Sequence, residues 1–134
     1  MRFMLLQNYA PTGSGAPPIS EWQPGDIHAH IAFQREVSDR LSELGELIDA
    51  VGLAGPEAAR FVTSDGSGPP VVTDGPYAEA KELLAGYRLV DVDSWERAIE
   101  IAALVSAAPG PGGVPIQEHI EVRQVMGAPS TDDL

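Results

Sequence analysis

A chain of 134 residues with 20 acidic against 8 basic side chains carries a net charge of −12, a surface that repels phosphate backbones and anionic lipid and argues against direct nucleic-acid or membrane binding. With no cysteine, thiolate metal sites, thiol nucleophiles and redox switching are excluded. No apolar run approaches the ~20 residues that span a bilayer, and Phe3 to Leu6 is too short for the core of a signal peptide, so a cytoplasmic protein is expected.

The length suits one domain able to bury roughly two thirds of its unfolded surface; the sequence pattern places it over residues 1–126, with 127–134 as a frayed tail. Residues 2–9 read as a short apolar strand. A Pro/Gly/Ser-rich loop follows over 10–25, longer than most connections and of the kind that serves as a lid or binding element. Asp26 is a suitable N-cap for a helix over 27–44, closed by Gly45 at C′. Ile27, Val37, Leu41 and Leu44 form its apolar stripe with Ile31 beside it; helical spacing adds His30 and Gln34 to the same side and turns His28 away. Residues 46–52 read as a strand, and 58–63 with 70–73 as a hairpin around Ser64-Asp65-Gly66-Ser67-Gly68.

The segment Val71-Val72-Thr73-Asp74-Gly75-Pro76-Tyr77-Ala78-Glu79-Ala80-Lys81-Glu82 then joins a strand end, a rigid turn, a cluster of charges and an aromatic ring. Residues 76–84 suit a short helix with Pro76 at its first position, and 86–92 a strand. Asp93 and Glu96 form a capping pattern for a second helix whose apolar face uses Trp95, Ala98, Ile99, Ala102 and Val105 and which ends at Pro109-Gly110-Pro111-Gly112-Gly113. In the last strand, 116–125, Ile116, Ile120 and Val122 alternate with Gln117, His119, Glu121 and Arg123.

Strand-helix-strand occurs twice. The expected fold is therefore α+β, a ferredoxin-like βαββαβ split unit with an inserted hairpin, its antiparallel sheet carrying both helices on one face. Strands 3–9 and 87–92 are apolar on both sides, so the second face needs a cover, which a homodimer packed sheet against sheet would supply.

Thr73 to Glu82, Ala85-Gly86-Tyr87, Asp91-Val92-Asp93-Ser94 and Ile120-Glu121-Val122-Arg123 resemble the DGPF group of YCII-related proteins, with Tyr77 standing where that group has Phe; Gly45-Glu46-Leu47-Ile48-Asp49, Gly52-Leu53-Ala54-Gly55-Pro56 and Ala107 to Gly113 are similar to one of its subgroups. The resemblance spans residues 1–126 and implies a dimeric α+β barrel. Many such proteins are uncharacterised, some are encoded beside alternative sigma factors, and the wider superfamily includes small-molecule lyases, isomerases and monooxygenases. The resemblance also implies a His and Asp pair, but the expected His position holds Gln34, with His30 one helical turn earlier.

His30 and Asp74 are thus the candidate catalytic pair, His30 as acid or base and Asp74 fixing its tautomer. Each has a bland alternative, a satisfied helix histidine and a turn-forming carboxylate. Tyr77, Lys81, Tyr87, Gln34, His119 and Arg123 are candidate ligand-binding residues; packing, surface ion pairs and contacts across a dimer explain the same side chains. His28-Ala29-His30 points two ways on a helix and is weak as a metal pair, the glycine-rich stretches lack a P-loop lysine or dinucleotide setting, and no metal or cofactor is expected. Two readings follow: a cofactor-independent small-molecule protein with proton-transfer chemistry, or a non-catalytic ligand sensor or interaction module with a transcription partner such as a sigma factor.

Overall fold

The computed structural model describes residues 1–9, 12–75 and 83–127. The first strand, β1, runs Arg2–Tyr9, as its apolar pattern predicts. Helix α1 covers Pro24–Glu43 and begins earlier than expected, because Pro24 takes the first helical position behind Gln23. Asp26 is therefore not the cap. It lies in the first turn, where its charge suits the helix dipole, and its Oδ1 accepts from the Gly112 backbone at 3.3 Å. The other end is a Schellman closure: Gly45 adopts φ +72° and the amides of Gly45 and Glu46 donate to Ser42 and Leu41. Of the expected apolar stripe, Val37 and Leu41 are buried, whereas Ile31 and Leu44 are exposed; Phe33 supplies the missing contact with the core.

Strands β2 (Leu47–Gly52), β5 (Leu83–Asp91) and β6 (Ile120–Gln124) complete a four-stranded sheet with β1, in the order β2-β5-β1-β6 and antiparallel throughout. With its two helices this α+β arrangement is compatible with a ferredoxin-like fold. The short helix expected over 76–84 lies largely outside the described residues, and its last two positions belong to β5. The last strand starts at Ile120 rather than 116, because Gln117 adopts φ +55°, a left-handed conformation that no strand continues through.

Helix α2, Trp95–Ser106, is capped by Ser94, whose side chain accepts from the Arg97 amide, in place of the expected Asp93. Its buried stripe is Ala98, Ile101, Ala102 and Val105; Ile99, assigned inward from sequence, is 56% exposed. These four follow the spacing i, i+3, i+4 and i+7, which takes in Ile101 and leaves Ile99 out. These residues share one core with Val37, Leu41, Phe3, Leu5 and Val90, so both helices cover the same face of the sheet. Arg97 ties α2 to the entrance of β2 through a forked pair with Glu46, at 2.9 and 2.8 Å, which holds the Glu46 carboxyl below its usual range.

Between β2 and β5, strands β3 (Arg60–Thr63) and β4 (Val71–Asp74) pair antiparallel as a separate two-stranded ribbon. Val62, Val71 and Val72 on it are 61%, 62% and 54% exposed. Among the described residues no helix is long and apolar enough to cross a membrane.

Candidate functional site

Three residues at four-residue spacing, His30, Gln34 and Ser38, follow one line along α1. Gln34 and Ser38 meet Arg88, which alternation along β5 puts on the same buried face as Val90. Arg88 is only 5% exposed. Its Nη2 donates to the backbone and side-chain oxygens of Gln34, at 2.9 and 2.8 Å, and its Nε to Ser38 Oγ at 3.3 Å. All three acceptors are neutral, and among the described residues no carboxylate makes an ion pair with Arg88 within 4.0 Å. Burial lowers the guanidinium's pKa from its ordinary value, and the charge of Glu118 opposes that.

Glu118 precedes β6 and is fixed at its backbone, where its amide donates to Ser106 O at 3.1 Å and its carbonyl accepts from Ser106 Oγ at 2.6 Å. The left-handed Gln117 before it is held in turn by the Gly13 amide, which donates to Gln117 O at 2.9 Å; a non-glycine residue keeps that conformation only where its surroundings impose it. The long loop after β1 thus helps to set Glu118. Burial raises its carboxyl pKa above the ordinary value, partly offset by a 3.4 Å hydrogen bond from Gln7 Nε2 and by the charges of His30 and Arg88.

That shift has a sign for stability. The folded state binds a proton that the unfolded chain releases near its ordinary carboxylate pKa, so the ionised group costs stability as pH rises through the window above that value. Glu118→Gln is expected to raise the thermal midpoint at pH about 8 and to leave it nearly unchanged at pH about 3, where the carboxyl is protonated in the folded and the unfolded chain alike. Melting curves at the two pH values check this; an equal shift at both contradicts the assignment.

The other sequence candidates fall in separate places. His30 donates from Nδ1 to Pro109 O at 3.0 Å, which leaves Nε2 as the basic nitrogen of the neutral ring, and Trp22 packs edge-on against it at 5.3 Å. Asp74 ends β4 with its side chain 91% exposed, 4.0 Å from Arg60. His30 and Asp74 share no hydrogen bond: each has its own partners. Tyr87 alternates with Arg88 and points to the sheet face away from the helices, opposite Leu6 and Val51. Arg123, 72% exposed and 3.8 Å from Glu121, pairs with Met4 in register, and His119 is exposed. Tyr77 and Lys81 lie outside the described residues.

Gly75 of the Asp-Gly-Pro turn has a packing reason. A Cβ there would stand 2.5 Å from the Phe61 ring and 3.1 Å from Ala59, so Gly75→Ala is expected to loosen the ribbon by about 1–3 kcal/mol. Faster limited proteolysis within 60–74, with the main unfolding transition little changed, is the outcome that checks it.

Two open clefts among the described residues lie elsewhere. One, about 270 Å³ and apolar, is lined by Leu53, Pro56, Ala59, Phe61 and Leu84 at the base of the ribbon; the other, about 510 Å³, lies along the outer side of α1 at His28, Ile31 and Arg35. Both are open, and neither is lined by the polar niche, which the chemistry of its side chains singles out instead. No group of three or more His, Asp or Glu among the described residues is placed to hold a metal. Sequence reasoning missed Arg88, Glu118 and Gln7; the signal for Arg88 was its phase, a charge at the same alternate positions as apolar Val90 and Val92.

The sequence model of the YCII-related domain matches residues 1–110, which include His30, Gln34, Asp74 and Arg88 and stop short of Glu118. No curated protein matches the chain.

Proposed function

The chain belongs to the YCII-related domain family, and from that premise we propose that it binds a small molecule beside α1 and carries out cofactor-independent acid-base chemistry there, of a lyase or isomerase kind. One observation carries the reading: an almost fully buried guanidinium whose hydrogen-bond partners among the described residues are all neutral, held by Gln34, which stands one helical turn from a histidine whose Nε2 is left basic. A fold stabilises itself more simply with an apolar residue at such a position.

Within this reading the chain is a DGPF-subgroup member, a ferredoxin-like split unit with an inserted hairpin, one cytoplasmic domain over residues 1–126 with a tail beyond. Two copies form a dimeric α+β barrel through the uncovered sheet face, where Met4, Leu6, Tyr87 and Leu89 are half-buried in the single chain. His30 moves the proton and Gln34 orients the ligand; Tyr87, His119 and Arg123 belong to the side facing the second copy. Asp74 acts from the end of the hairpin and reaches His30 through the ligand or a water and not by direct contact; Tyr77 and Lys81 stay candidate ligand-binding residues on sequence grounds.

The exposed valines of the hairpin favour a second reading, a non-catalytic interaction module whose partner in transcription, such as a sigma factor, docks on that ribbon. A thermal-shift screen against a metabolite library separates the two. A compound that stabilises the wild type and is lost in His30→Ala and weakened in Asp74→Asn supports the first; a hit unaffected by both variants removes the proposed site, and protection by a protein partner alone favours the second.

A further inference from the structure

Arg88 is a buried cation whose hydrogen bonds among the described residues go to Gln34 O, Gln34 Oε1 and Ser38 Oγ. Buried guanidinium groups ordinarily sit against a carboxylate, with two parallel N–H donors matching two oxygens. Here the nearby acidic group is Glu118, close enough to influence the Arg88 charge yet outside ion-pair distance. A second donor points to the same need. Because Gln34 Oε1 accepts from Arg88, its amide orientation is set, and the Nε2 that results is buried with no hydrogen-bond partner among the described residues. Swapping the amide ends would aim N–H groups at the guanidinium, so reorientation offers no escape.

We propose that this niche binds a small carboxylate, its oxygens held by the Arg88 guanidinium and the Gln34 side-chain amide. The inference rests on the small-molecule reading above and names its ligand class. A carboxylate supplies the negative charge that Arg88 lacks and the acceptor that Gln34 Nε2 lacks. Selectivity follows from the surroundings: the chain is strongly acidic, so indiscriminate anion binding is disfavoured and an anion is taken only where a buried cation waits. The groups facing Glu118 are His30 from α1, Arg88 from β5, Gln7 from β1 and Ser106 from α2. A second negative charge brought beside Glu118 favours its neutral form, so carboxylate binding takes up a proton there and weakens as pH rises.

The test is calorimetry and thermal shift on the full chain with acetate, propionate and benzoate, their uncharged amides, and inorganic phosphate, at pH about 5.5 and about 8. At least one carboxylate is expected to bind and its amide not, with affinity falling between the lower and the higher pH. Gln34→Glu, which places an internal carboxylate on Arg88, is expected to melt at or above the wild-type temperature and to lose at least about ten-fold in carboxylate affinity. Arg88→Met is the second variant and is expected to lose binding equally. Carboxylate binding that is the same in wild type, Gln34→Glu and Arg88→Met overturns the proposal, as does phosphate binding in preference to every carboxylate. An uncharged metabolite that protects the wild type and not His30→Ala also overturns it while sustaining the small-molecule reading; absence of any hit, charged or neutral, sinks both.

Discussion

Phe3→Ala is expected to lower the stability of the chain by about 3–5 kcal/mol. Phe3 is fully buried on β1, the strand paired on both edges, and its ring meets Trp95 of α2 edge-on at 4.7 Å. Truncation removes the transfer energy of the ring and leaves a cavity between sheet and helix that elements hydrogen-bonded on both sides cannot close. Trp95 is 42% exposed, so Trp95→Ala should cost distinctly less. Urea unfolding with a lowered midpoint and an unchanged slope is the signature; a loss under about 1 kcal/mol for Phe3→Ala would show that the core closes around the gap.

Arg88 gives the second large effect, as a contrast between two replacements. Arg88→Ala removes a long buried side chain with three hydrogen bonds and strands the Gln34 side-chain oxygen, for an expected loss of about 2–4 kcal/mol. Arg88→Met strands the same oxygen but refills the space with an apolar chain and no longer buries a charge, so its loss should be smaller than that of Arg88→Ala by at least about 1 kcal/mol. Chemical denaturation of the two variants decides it. Equal, large losses would mean that Arg88 is a structural cation already compensated within the fold, and would remove the reason for reading the niche as a site.

Local signals in the chain were legible where a single residue acts through its own backbone. Gly45 as helix stop and the bounds of β1 follow from conformational freedom and alternation. Errors arose where two neighbours compete for one role. Asp93 and Ser94 both suit an N-cap, and Ser94 takes the role; likewise Ile99 and Ile101 both border the line through Ala98, Ala102 and Val105, and packing buries Ile101. Pro24 and Asp26 both suit a helix start, and the proline, with its preset φ, comes first. The site was less legible. His30 and Gln34 were picked out by helical phase, but their neighbours Arg88 and Glu118 come from positions 54 and 84 residues after Gln34, a juxtaposition that periodicity cannot express.

By itself, then, the sequence determined the class of the chain: acidic, cysteine-free and α+β, with an antiparallel sheet and two helices, because composition, alternation and capping chemistry are properties of short windows. The tertiary structure alone decided which polar groups lose water together. Desolvation depends on what packs from every side, and the closing of α1, β5 and the segment before β6 turns an ordinary arginine into a buried cation whose hydrogen-bond partners among the described residues are all neutral.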